Sequence, residues 1–134
     1  MKILIIDDEV SICAVLKAVL REKGFDVCTA SDGETADRLI EMGQFDIALL
    51  DINMPWISGI VLLEQIKKRF PEKKVVMITG NCVNKGLVAE LRRKGAENCL
   101  QKPFAIAALV SEIRKCLCIP EKLDTETLLH HWNT

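Results

Sequence analysis

The chain has 134 residues, with 18 Lys and Arg against 19 Asp and Glu, a net charge of −1 and 49% apolar residues. That length suits one domain with its own core, and so even a charge balance argues against a domain that grips nucleic acid through its phosphates. The longest unbroken apolar run, Phe104 to Val110, is seven residues, too short to cross a membrane; Asp7 interrupts the opening run too early for a signal peptide, so the expected location is the cytoplasm.

Taken in chain order, the first apolar run, Ile3 to Ile6, is too short for a helix and rich in aliphatic residues, so it reads as a strand. Ile12, Leu16, Val19 and Leu20 then share one helical face, and Gly24 stands where that helix should stop. Val27 to Ala30 and Ile47 to Leu50 are the second and third strand candidates. A helical period follows through Ile60, Leu63 and Ile66, then a fourth strand over Val75 to Ile78. Val83, Leu87 and Leu91 predict another helix, Asn98 to Leu100 a weaker fifth strand. Ile106, Leu109, Val110, Ile113 and Leu117 predict a last helix that ends before Pro120.

Five such βα units imply an α/β domain, a parallel sheet covered by helices on both faces. The first, third and fourth runs are nearly pure aliphatic and belong in the middle; the second and fifth are more polar and belong at the edges. With right-handed crossovers this predicts the order 2-1-3-4-5, the flavodoxin-like doubly wound (βα)5 arrangement. The domain is expected to occupy residues 1–118 and a tail residues 119–134. That tail reads either as a short helix started by Asp124 or Thr125, with Leu128, Leu129 and Trp132 on one face, or as the start of a linker.

Six cysteines, Cys13, Cys28, Cys82, Cys99, Cys116 and Cys118, are scattered through apolar segments with no C-x-x-C pair. They read as free thiols acting as small hydrophobes; a redox or metal role for Cys116 and Cys118 has no support from spacing. His130 and His131 have no cysteine near them at zinc-finger spacing and read as bystanders.

In doubly wound sheets the functional crevice lies at the carboxyl ends of the strands, where the winding direction switches. For the order above that point falls between strands one and three, so Asp7, Asp8 and Asp51 converge there. Crowded carboxylates raise one another's pKa unless a cation sits among them, and a hard divalent ion such as Mg²⁺ fits an all-oxygen set. Thr79 follows the fourth strand and Lys102 the fifth. A lone Asp after a strand is ordinarily a turn residue or helix cap, and a lone Lys or Thr there is ordinarily solvated. A carboxylate nucleophile, a metal, a lysine and a hydroxyl together are the parts needed to transfer a phosphoryl group onto Asp51.

With ILIIDDE at the start, ALLDINMPWISG around Asp51, MITG at Thr79 and QKPF at Lys102, residues 1–118 resemble the receiver domains of two-component response regulators. The resemblance implies that Asp51 is the phosphoacceptor, taking its phosphoryl group from the phosphohistidine of a sensor histidine kinase or a phosphotransfer protein. It implies that Asp8, Asp51 and the backbone carbonyl of Asn53 bind Mg²⁺ with Asp7 in support, and that Thr79 and Lys102 contact the phosphoryl group. Gly80 leaves room for access, Pro103 follows a peptide bond that is often cis in the family, and Asn53 and Asn81 occupy positions that tune hydrolysis. Cys99 departs from the pattern, since an aromatic residue is usual three positions before the lysine, and this leaves the family's aromatic readout open.

Two other classes fit the residues less well. A phosphatase of the haloacid dehalogenase type needs a second Asp two positions after the nucleophile, where this chain has Asn53. A phosphate-independent interaction module usually lacks the acceptor, an acidic-pair residue or the lysine, and all are present. Output is expected through contact with a downstream protein or in a homodimer, with the apolar stretch Ala105 to Val110 a candidate surface. The alternative is a receiver fragment of a larger regulator. Trp56 is expected to pack its loop near Asp51.

Overall fold

The computed structural model describes residues 1–120. Strands and helices alternate strictly: β1 (Lys2–Ile6), α1 (Val10–Glu22), β2 (Asp26–Ala30), α2 (Gly33–Met42), β3 (Ile47–Asp51), α3 (Gly59–Arg69), β4 (Lys74–Thr79), α4 (Lys85–Arg93), β5 (Asn98–Gln101) and α5 (Ile106–Cys116). The strands form one parallel sheet in the order β2-β1-β3-β4-β5. The polar runs are at the edges and the aliphatic ones inside, because a central parallel strand must bury both of its faces.

Side-chain alternation along each strand divides the core into two layers. Leu4, Ile6, Ala48, Leu50, Val75 and Met77 pack beneath α2, α3 and α4, meeting Ile40, Leu63 and Leu91. Ile3, Ile5, Ile47, Leu49, Val76 and Ile78 face the other way, against Leu16 and Leu20 of α1 and Leu109 and Ile113 of α5. Among the described residues no helix is long and apolar enough to cross a membrane.

The structure moves three sequence expectations by a few residues, each for a local reason. Asp51 and Thr79 are the last residues of their strands rather than the first after them, because backbone pairing continues: Asp51 lies opposite Ile78 and Thr79 opposite Gln101. Val83 precedes α4 instead of lying in it. Asn84 caps that helix, its Oδ1 accepting the Leu87 N–H at 2.8 Å, while the Val83 N–H donates to Gln101 Oε1 at 3.1 Å. The last helix ends at Cys116, and the chain leaves it through Cys118 in a left-handed conformation, φ 55°, with the Ile119 N–H donating to Arg114 O at 2.8 Å. Gly24 does end α1, at φ 93°. The expectations for Asp124, Thr125, Leu128, Leu129, His130, His131 and Trp132 lie outside the described residues.

Candidate functional site

The loops after β1 and β3 leave the sheet side by side, since β1 and β3 are neighbours and the helices that follow them cover opposite faces. Asp7, Asp8 and Asp51 meet at this split, each offering a carboxylate oxygen, and these atoms all lie within 4.8 Å of one another. Asp7 is 2% exposed and Asp51 4% exposed, which is rare for carboxylates without compensating partners.

Their partners are few. Asp51 Oδ1 accepts the Asn53 N–H at 3.2 Å and Asp51 Oδ2 accepts from Lys102 Nζ at 3.3 Å. Asp7 Oδ1 accepts the Glu9 N–H at 2.9 Å, and Asp7 Oδ2 accepts from the same lysine at 2.7 Å. Lys102 also lies 3.6 Å from a carboxylate oxygen of Glu9. Glu9 is the N-cap residue of α1 but makes no side-chain cap. One ammonium therefore faces Asp7, Asp51 and Glu9, with Asp8 in the same cluster, and the site carries excess negative charge.

The electrostatics follow from that excess. Burial pushes the Asp51 carboxyl above its ordinary value; the Asn53 N–H opposes the shift, the charge of Asp7 adds to it, and Lys102 opposes it without cancelling it. For Lys102, burial disfavours the charged form, but Asp7 and then Asp51 outweigh burial and hold the ammonium above its ordinary value. Three convergent carboxylates with oxygen donors only, and a single lysine to balance them, fit a hard divalent cation of the Mg²⁺ type.

On the side toward β4, Thr79 is 1% exposed. Its Oγ1 accepts from Asn53 Nδ2 and from the Asn81 N–H, both at 3.1 Å. The structure thus brings together all six residues singled out from the sequence: Asp7, Asp8, Asp51, Asn53, Thr79 and Lys102. The Lys102–Pro103 peptide bond is cis. Gly80 leaves open space, with nothing within 4 Å of where a Cβ would stand. Cys99 is buried beside Met77 of β4 in the core layer beneath α2, α3 and α4. Trp56 is half-buried and packs its ring toward Gly33 at the start of α2.

Sequence reasoning missed two residues. Glu9 stands in the acidic run with Asp7 and Asp8, where no local pattern marks it as a partner of Lys102. Gly59 closes the loop after Asp51, and a Cβ there would lie 2.2 Å from the Asp51 carbonyl oxygen. Its motif was visible; the close backbone approach that requires glycine was not.

Many known proteins are similar to this chain in sequence or fold. The family model for the response regulator receiver domain matches residues 3–114. The transcriptional regulatory protein ZraR of Escherichia coli K12 is 33% identical over 125 residues, covering 93% of this chain and 28% of ZraR. The chain spans half or less of the length of this and the other curated transcriptional regulators it matches first. Among solved structures, a CheY-like receiver domain protein from Methanospirillum hungatei superposes with a TM-score of 0.80 at 32% identity, covering 87% of this chain and 93% of that one. The response regulator TrrA from Thermotoga maritima, solved in complex with Mg²⁺-BeF, gives 0.74 at 31% identity, with 86% and 97% covered. On the match over residues 3–114 and the shared fold, this chain belongs to the receiver domains of two-component response regulators.

Proposed function

We propose that Asp51 accepts a phosphoryl group from the phosphohistidine of a sensor kinase or phosphotransfer protein, with Asp8, Asp51 and the Asn53 carbonyl holding Mg²⁺ and Asp7 in support. The observation that carries this reading is the Asp51 carboxylate, 4% exposed, held by the Asn53 N–H and Lys102 within a cluster of three acids. A carboxylate oxygen of Asp51 attacks phosphorus, the P–N bond to the donor imidazole breaks with its electron pair left on nitrogen, and an aspartyl acyl phosphate forms. A Mg²⁺ ion bound there would supply charge neutralisation to the phosphoryl oxygens. Lys102 offers them an ammonium and Thr79 a hydroxyl, and Gly80 leaves the approach open. On this reading the domain catalyses only its own phosphorylation and dephosphorylation, and it acts on no separate substrate.

An apolar groove runs beside the site between α1 and the start of α5, lined by Ile12, Val15, Leu16, Pro103 and Phe104 next to Lys102. We assign it to the phosphoryl donor, because its lining includes Gly80 and Lys102 at the edge of the site that holds Asp51. The receiver unit is taken as residues 1–118, α5 having ended at Cys116. Ala105 at the N-cap of α5 and Ala107 and Ala108 in its first turn are exposed, and there we place the contact that phosphorylation switches, with a downstream protein or a second copy. The similarity to longer transcriptional regulators supports a place within a larger regulator.

Incubation with Mg²⁺ and acetyl phosphate should add the mass of one phosphoryl group to the wild type and none to Asp51→Asn. An unmodified wild type, with acetyl phosphate and with its kinase, overturns the proposal.

A further inference from the structure

Asn53 occupies a position with more connections than a loop residue needs. Its backbone N–H donates to Asp51 Oδ1, its side-chain Nδ2 donates to Thr79 Oγ1, and an antiparallel bridge to Ser58 fixes its own backbone. Its side chain adds a link between the loop after β3 and the last residue of β4, beside the Ile52 N–H bond to Ile78 O.

The consequence lies in the hydroxyl of Thr79. A threonine oxygen has two acceptor sites and one proton. Both acceptor sites are taken, by Asn53 Nδ2 and by the Asn81 N–H, each at 3.1 Å. At 1% exposure the side chain has no bulk water to rotate toward, and among the described residues no acceptor takes its proton. Two fixed donors on the oxygen leave the O–H a single remaining direction, so the group is oriented before any partner arrives. A group rich in acceptor oxygens, placed on Asp51 in the adjacent strand, supplies the missing acceptor.

We infer that Asn53 is a positioning residue: its amide N–H, donated to Thr79 Oγ1, presets the Thr79 hydroxyl as a donor to the phosphoryl group on Asp51. This rests on the phosphoacceptor reading above. Pre-orientation matters because a donor aimed in advance loses no rotational freedom when the anion appears. The Asn81 N–H alone leaves one lone pair open, and the proton can then swing between two directions.

The test is a double-mutant cycle on beryllofluoride binding at saturating Mg²⁺. Asn53→Ala should weaken binding about tenfold in the wild-type background, equivalent to about 1.4 kcal/mol and the size of one net hydrogen bond. It should do the same in Thr79→Ser, which keeps the hydroxyl, and cost less than about twofold in Thr79→Val, which has none. Thermal unfolding of each variant separates a general loss of fold from this coupling. Equal losses in the Thr and Val backgrounds, or no loss in either, overturn the role of Asn53 while leaving Asp51 as the acceptor. A wild type that binds no beryllofluoride overturns the phosphoacceptor reading itself, and with it this inference.

Discussion

Replacing Gly59 by alanine puts two opposed effects against each other. Gly59 is the first residue of α3, and alanine is the better helix former by up to about 1 kcal/mol, less in a first turn. Its φ is not in the left-handed region, so backbone conformation does not demand glycine. The steric demand is severe, however: the new Cβ would stand 2.2 Å from Asp51 O, 2.8 Å from Asp51 C and 2.9 Å from Ile52 Cα. All three are backbone atoms, which cannot rotate away as a side-chain tip can. Normal contact requires a separation of about 1 Å more, shared between the start of α3 and the end of β3. Overpacking of this kind costs about 1–3 kcal/mol, and here it should exceed the gain in helix propensity, for a net loss of about 2 kcal/mol. In urea that corresponds to a midpoint lower by about 1 M. The same displacement carries Asp51 with it, and a misplacement near 1 Å can slow a positioned reaction by about a hundredfold. Both arms are measurable: equilibrium unfolding in urea, and the rate of phosphorylation by acetyl phosphate. A variant with an unchanged midpoint and an unchanged rate would refute the steric reasoning.

Three further outcomes are expected. Lys102→Met leaves Asp7 and Asp51 without their shared ammonium, so in EDTA it should lose about 2 kcal/mol of stability, and added Mg²⁺ should stabilise it more than the wild type; thermal melts with and without Mg²⁺ check this, and equal Mg²⁺ responses would contradict it. The pKa of Asp51 is raised in the folded state, so the native state holds this proton more tightly than the unfolded chain. Stability from this group is therefore lost as pH rises from about 3.9, the unfolded value, through the raised folded one. Asp51→Asn should accordingly be more stable than the wild type at pH 7 in EDTA and lose that advantage toward pH 4, as read by urea midpoints; an advantage that grows toward acid would show the sign to be wrong. Thiol labelling should find Cys82 and Cys118 fast and Cys13, Cys99 and Cys116 slow, because the first two are exposed and burial pushes the Cys116 thiol up to about 12; rapid labelling of Cys116 in the folded protein would contradict its burial.

The sheet order was legible because burial leaves a direct mark on composition. Ile3 to Ile6, Ile47 to Leu50 and Val75 to Ile78 are apolar on both faces, and only interior parallel strands need that. The convergence of Asp7, Asp8 and Asp51 followed from the order, since strand ends at a winding switch must be neighbours. Thr79 and Lys102 entered by the same rule. Element ends were less legible: Asp51 and Thr79 carry polar side chains on backbone that still pairs with the next strand, and hydropathy does not register backbone pairing. Val83 matched the helical period, yet Asn84 one position later is the better cap.

The sequence by itself thus determined the architecture and that Asp7, Asp8, Asp51, Thr79 and Lys102 meet, because periodicity, strand order and crossover handedness leave few alternatives; Asn53 was implied by the family resemblance, through its backbone carbonyl alone. Only the tertiary structure decided how those side chains are shared. Lys102 divides one ammonium among Asp7, Asp51 and Glu9, Asn53 reaches from Asp51 to Thr79, and Gly59 presses against the Asp51 carbonyl. Hydrogen bonds and steric contacts depend on distances of a few tenths of an ångström between residues remote in the chain, from 51 to 79 and from 7 to 102. No local pattern of residue types encodes such distances; they are set when the strands take their register and the loops close over the sheet.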